Sequence, residues 1–292
     1  MDAVLGALLR GLFALTRVLG SRGAPAIGSF LTRTLGPLTG SHRIARDNIA
    51  ASFPEGDEAW RRAVLREAWD NLGRTTCEYV HMEAIWDYDQ DAPDPDGRIL
   101  IAPEVAARFM ELADDGKPAL IFAAHLANWE LPMIAAAKCG LPAAALYRTP
   151  NIRAVAREIL ALRKGAMGEL IPAGPFAPLR MATALERGLH VGMLIDQRFG
   201  RGPRINFLGR EAAANPLIAQ LARRFDCPVH GARAIRLPGG RFRLDLTEAL
   251  DLPRDAEGQV DVAGATAAMN GVIEGWIREY PGQWLWMHRK WR

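Results

Sequence analysis

The chain has 292 residues, 49% of them hydrophobic, and a formal net charge of +3. That is core material for one large domain or a domain with an extension, which excludes wholesale disorder; the charge is too small to mark a nucleic-acid binder without a clustered patch. Three cysteines (Cys77, Cys139 and Cys227), odd in number, far apart and in no metal-ligand spacing, argue against a disulfide framework and fit a reducing compartment.

The first twenty residues have helical periodicity. Val4, Leu5, Leu8, Leu12, Leu15 and Leu19 share one face, with Arg10 and Arg17 opposite. No run is long and apolar enough to predict a spanning helix. A cleaved signal peptide is not expected either, since the start carries Asp2 and no basic region. Before Asp47 there are six arginines and the single acid Asp2. A cationic amphipathic entry of this kind suits the interface of an anionic membrane, the bland alternative being a helix packed on the domain. Residues 1–40 are therefore expected to be membrane-associating helices. Residues 41–97 form a helical segment (helices at 41–53 and 57–87) that closes in the acidic loop Asp87–Gly97, read as a solvated linker rather than a calcium site.

From residue 98 the pattern alternates. Strand-like runs fall at Ile99–Ala102, Ala119–Ala124, Ala143–Tyr147, Leu170–Pro172, Val191–Ile195, Val229–Ile235 and Arg241–Leu246. Helical patterns lie between and after them at Pro103–Asp115, Glu130–Lys138, Ile152–Lys164, Pro178–Arg187, Pro216–Phe225 and Val262–Glu279. This predicts an α/β fold over 98–292: a mixed, largely parallel central sheet flanked by helices, carrying a helical N-terminal extension. Sites in such sheets lie at the carboxyl ends of strands, where His125, Arg148 and Asp196 fall.

The stretch Gly116–Pro132, GKPALIFAAHLANWELP, holds the main candidate pair. An apolar run ends at His125, and Glu130 follows five residues later. On one continuous helix two such side chains would point about 140° apart. Pro132 fits only the first turn of a helix, so the helix is predicted to start near Asn128–Leu131, with Asn128 a plausible cap. His125 on the loop and Glu130 on the helix start could then meet, the carboxylate fixing the tautomer of a general base. The same spacing also arises as a plain structural pair.

Other chemistries lack their motifs. There is no G-x-S-x-G elbow, Walker loop or G-x-G-x-x-G after a strand, and no thiol has a catalytic partner in its local sequence. A zinc site would need His125 and Glu130 with a ligand such as His190 or His230, which the strand placements disfavour, so neither metal nor cofactor is expected. A base acting directly on a bound hydroxyl remains.

The sequence resembles the bacterial late acyltransferases of lipid A biosynthesis, of the lysophospholipid acyltransferase superfamily. The resemblance rests on HRIARDNIAASFPE (42–55), HLANWE (125–130), YRTPN (147–151), GLHVGMLIDQRFGRG (188–202), FLGREAA (207–213) and PGQWLWMHRKW (281–291). It departs from the common wording at Ala127, where glycine is usual, and at Gly282, where an acid is usual. The resemblance implies transfer of a fatty acyl chain from acyl carrier protein to a hydroxyl of a lipid A precursor, at the cytoplasmic face of the inner membrane. It implies His125 as general base with Glu130 orienting it, and Arg148 binding acceptor phosphate or oxyanion. Asp196 and Gln197 are placed in a block contacting the acceptor, and Asn128 and Trp129 beside the pair. Trp129 could equally be packing, and Asp196 could cap a turn or pair with Arg198. No chemistry is assigned to the 281–291 block.

On the helix expected from Ile152, Arg153, Arg157 and Lys164 share one face, a stripe that could steer an acidic carrier or simply be solvated. Two other readings stand beside lipid A acylation. One is acyl transfer to another lipid, such as a lysophospholipid or mannosylated phosphoinositide. The other is a non-catalytic membrane protein on the same fold.

Overall fold

The computed structural model describes residues 2–148, 160, 163 and 167–291, without the side chains of 2–10, 12 and 13. Seven strands form the main sheet: β1 (Ile99–Ile101), β2 (Leu120–Ala123), β3 (Ala143–Tyr147), β4 (Glu169–Pro172), β5 (His190–Leu194), β8 (Val229–Leu237) and β9 (Arg241–Leu246). Their spatial order is β1-β9-β8-β2-β5-β3-β4. All neighbours are parallel except the β8–β9 hairpin. The alternating pattern thus gives the mixed, largely parallel sheet expected of it.

Alternation within the strands creates two cores. Leu120, Phe122, Val191 and Met193 point to one face, covered by α7 (Ala177–Glu186), α8 (Leu217–Phe225) and α9 (Val262–Glu279). Ile99, Ile101, Ala232, Ala234 and Leu244 point to the other, covered by α5 (Pro103–Asp114) and α6 (Leu131–Lys138). The expected helix at 152–164 falls almost wholly outside the described residues.

A hairpin absent from the sequence reading, β6 (Arg204–Phe207) and β7 (Arg210–Ala213), stands apart from the main sheet. It turns at Leu208 and Gly209, both with positive φ (51° and 74°). Such turns usually announce themselves by Asn-Gly or Asp-Gly, and leucine in the left-handed region gives no such signal. Glu274 compensates by accepting the Leu208 N–H at 2.7 Å.

The N-terminal segment is α1 (Asp2–Leu35), broken at Gly20 (φ 70°), followed by α2 (Gly40–Ser52), α3 (Glu58–Glu78) and the short α4 (Met82–Ile85). Helix α1 crosses α3 at Gly28 and Gly73. A Cβ on either would lie 2.3 Å from the other's carbonyl oxygen, so only glycine permits this approach. Ala45, Ile49, Val64, Leu65 and Trp69 of α2 and α3 pack in the same cluster as Trp284 and Trp286. Residues 41–78 are therefore built into the core that supports the site. Leu15, Val18, Phe30 and Leu38 remain exposed. Among the described residues no helix is long and apolar enough to cross a membrane.

Candidate active site

Strands β2 and β5 are parallel neighbours with Ala123 opposite Leu194. His125 and Asp196 each follow two residues later, so the register alone brings them together. Asp196 Oδ1 lies 2.8 Å from His125 Nδ1, and Oδ2 accepts the His125 backbone N–H at 2.9 Å and the Trp284 indole N–H at 2.8 Å. Asp196 is fully buried. Burial pushes its pKa up, but the His125 imidazole, these hydrogen bonds and the nearby His288 outweigh that and hold it well below the usual carboxylate range. An ionised acceptor at Nδ1 fixes the proton there and leaves the Nε2 lone pair outward. The Gln197 amide nitrogen is 3.3 Å from that Nε2.

The expected His125–Glu130 pair does not form. Glu130 instead accepts the Tyr79 hydroxyl at 2.5 Å and the Arg163 Nε–H at 3.0 Å, and also bonds Arg163 Nη2. The spacing along the chain was a poor guide, because the partner of His125 is set by strand adjacency. Burial, followed by the Glu130 charge, raises the Tyr79 pKa and keeps the phenol neutral. For Arg163, burial works against the charge and is outweighed by Glu130, which holds the guanidinium protonated.

Asn128 was expected to contact substrate, and the structure does not place it there. It is 1% exposed and does not line the cavity, its amide donating to Glu78 at 3.0 Å. Its Oδ1 accepts the Glu130 N–H at 3.2 Å, shaping the turn into α6. Glu78 in turn receives a two-pronged bond from Arg236, at 2.5 and 2.9 Å. This buried ion pair sits beneath the catalytic loop, where Asn71 and Thr75 bind the Ala127 carbonyl. Ala127 itself has φ 47°. Glycine is easiest in that region, which accounts for the residue usual at this position in the resembling family. At Gly282 a Cβ would lie 2.2 Å from a Glu67 carboxylate oxygen. Here Glu67 occupies the space that an acidic side chain at 282 would need.

A cavity of about 860 Å³ opens beside His125. Its mouth holds Trp129, Arg148, Gln197, Arg198, Phe199 and Arg201, with Arg163 and Glu130 in its wall. Inside, it follows one face of the sheet over Ala123, Ile121, Ala145, Ala143, Leu194 and Gly192, and His190 also lines it. Small residues on adjacent strands leave this slot open. From Asp196 back to His190 is roughly 20 Å at about 3.3 Å per strand residue. The slot can hold an extended hydrocarbon chain with its head at the base. Asp196, expected to contact the acceptor, lies behind His125 and does not line the cavity.

His190 and His230 sit near the amino ends of their strands, away from His125, so neither joins it as a metal ligand. Among the described residues no group of three His, Cys, Asp or Glu could hold a metal ion. Arg153, Arg157 and Lys164 lie outside the described residues. Arg163 and Tyr79 were missed in sequence, since one sits beside a lysine in an arginine-rich stretch and the other ends a long helical pattern.

A sequence profile described as bacterial lipid A biosynthesis acyltransferase matches residues 4–292, nearly the whole chain. The chain belongs to that family. A search of curated proteins returned no match. For a lipid A biosynthesis acyltransferase the geometry falls into place chemically. An imidazole with its Nδ1 proton fixed faces a cavity that is cationic at the mouth and apolar within. That combination suits a lipid acceptor, and an acyl group to be transferred to it.

Proposed function

We propose that this acyltransferase moves a fatty acyl chain from acyl carrier protein to a hydroxyl of a lipid A precursor, with His125 as general base and Asp196 as its orienting partner. The acyl chain lies in the slot over Gly192 with its thioester at the mouth. The acceptor hydroxyl gives its proton to His125 Nε2 as its oxygen attacks the thioester carbonyl. The tetrahedral oxyanion then collapses, the carbon–sulfur bond breaks, and the imidazolium returns the proton to the leaving thiolate. Asp196, anionic throughout, stabilises the imidazolium formed between the two steps. The Gln197 amide, 3.3 Å from Nε2, serves the oxyanion once the hydroxyl takes its place there. The mouth arginines meet the acceptor's phosphates and the acidic surface of the carrier. The single observation carrying this reading is the Asp196–His125 pair opening onto a chain-shaped apolar slot.

The cytoplasmic face of the inner membrane suits both substrates. Supporting it are the exposed apolar residues of α1, Phe199 in the cavity lining, and Phe176 and Leu179, exposed and next in sequence to the lining residues Pro175 and Pro178, set among arginines as interfacial anchors are. In a radiolabelled transfer assay His125→Ala should lose at least about 10²-fold in turnover. Normal turnover in that variant would place the base elsewhere. A donor and acceptor panel, with lysophospholipid and mannosylated phosphoinositide beside the lipid A precursor, then decides the substrate: preference for either alternative would replace this acceptor. Deleting residues 1–36 should reduce recovery with floated anionic liposomes, and unchanged recovery would remove α1 from membrane binding.

A further inference from the structure

The segment 281–291 holds three of the chain's eight tryptophans, and neither the slot nor the base accounts for it. Its backbone runs antiparallel to the catalytic loop. Leu126 and Trp284 form a bridge, the Ala127 N–H donates to the Gln283 carbonyl at 2.9 Å, and the Leu285 N–H donates to the His125 carbonyl at 3.1 Å. The loop carrying the base is thus tied on both sides of Leu126 to the chain's last residues.

Those residues are themselves pinned. Asn48 donates to the Trp286 and His288 carbonyls at 3.1 and 2.9 Å, and the Trp291 indole donates to the Phe207 carbonyl at 3.1 Å. Lys290 is fully buried, with Nζ 4.7 Å from the Phe207 ring centre and 3.4 Å from Asn270 Oδ1. Trp284 is 1% exposed, packed edge-on against Trp286 and His288 at ring distances of 4.6 and 4.9 Å. It has no freedom to follow Asp196 if that side chain turns. Its indole N–H is the one side-chain donor to Asp196 besides His125 among the described residues.

We infer that Trp284 is a positioning residue for the proton transfer: its indole N–H locks the Asp196 carboxylate in the rotamer that presents Oδ1 to His125. This rests on His125 being the base. Without that donor Oδ2 keeps a single hydrogen bond, and the carboxylate is free to tilt out of line with Nδ1. It also becomes the more basic partner and holds an imidazolium more tightly. Among the described residues the titratable groups facing Asp196 are His125 from the loop and His288 and Lys290 from the 281–291 segment; the test leaves all three in place.

Trp286 supplies the control. It is equally buried and stacked in the same cluster, but its indole donates to the Pro281 carbonyl at 2.7 Å, away from Asp196. Trp284→Phe and Trp286→Phe remove similar packing, and only the first removes a bond to the carboxylate. In the full-length enzyme Trp284→Phe should lower kcat about ten- to a hundredfold, the span for a hydrogen bond to a charged group, with KM unchanged. It should also move the acidic limb of the pH–rate profile upward. Trp286→Phe should leave that limb where the wild type has it. Coincident profiles for the two variants would overturn the inference. Turnover by His125→Ala would instead strike the base assignment, so the two failures are separable.

Should Trp284→Phe fail to fold, indole ¹⁵N–¹H spectra of the otherwise native enzyme give a second test. Of the eight tryptophan signals, the one assigned to Trp284 should shift most on Asp196→Asn. If it does not move, the indole does not hold the carboxylate.

Discussion

At His125 two carboxylates compete for the role of partner, and distance decides between them. Asp196 lies 2.8 Å from Nδ1, while Glu130 is committed to Tyr79 and Arg163. Their substitutions should fail differently. Asp196→Asn removes the anion that fixes the tautomer and should cost kcat at least about 10²-fold, the lower end for losing general-base catalysis. Glu130→Gln leaves the Asp196–His125 bond intact and unseats Arg163 from its ion pair, so its effect should fall mainly on KM for the phosphorylated acceptor. Steady-state kinetics of both variants check this; a kcat loss from Glu130→Gln as large as that from Asp196→Asn would restore Glu130 to the base. Glu130 was visible in the sequence as a candidate and its function was not. Chain spacing reports which residues are near along one segment, whereas His125 meets Asp196 through the pairing of β2 with β5, 71 residues apart. The oddity at Ala127 was equally legible, but its meaning needed a backbone angle.

The elements were easier to read than their order. Strand and helix alternation from residue 98 placed each main-sheet strand within a residue or two, because apolar runs between turn signals are a local property. The sheet order, the β6–β7 hairpin and the cluster around Asp196 depend on contacts between distant segments, which no window of sequence contains. Strand β5 shows what the order accomplishes. Its even-numbered residues His190, Gly192 and Leu194 line the cavity, while Val191 packs in the opposite core. At Gly192 the nearest atoms to an added Cβ are 3.8 Å away, so a larger side chain can be accepted there without displacing backbone. Gly192→Leu should therefore fill the lower slot and leave the mouth intact. Long acyl donors would lose the burial of their last methylenes, at about 0.8 kcal/mol each, and preference should move to shorter chains with His125 still active. A donor series of increasing length reads this directly. An unchanged length preference would mean that the chain lies elsewhere.

Across the whole molecule, ionisation ties the fold's stability to pH in two separate windows. Burial lowers the pKa of His190, His230 and His288, so the native state resists protonating them. The unfolded chain takes up those protons near the ordinary histidine value of about 6.5, and more protons on the unfolded state means stability that falls as pH drops through that value. Asp196 behaves in the opposite region. Its depressed pKa gives a contribution fully present above the unfolded carboxylate value of about 3.9, lost only as pH falls below that toward its native value. The urea midpoint should accordingly decline between pH 7.5 and 5.5 while Asp196 is still ionised, with a second loss under pH 4. His190 is the place to test the first window, since it is 1% exposed, its Nδ1 has no hydrogen-bond partner, and burial outweighs the ring's bond to the Leu112 backbone. Replacing it with leucine removes one of the groups that must stay neutral, on a face already lined by apolar residues, and should flatten the upper slope. If the midpoint of the wild type is level from pH 7.5 to 5.5, or if His190→Leu keeps the full slope, buried histidines do not control stability in that range.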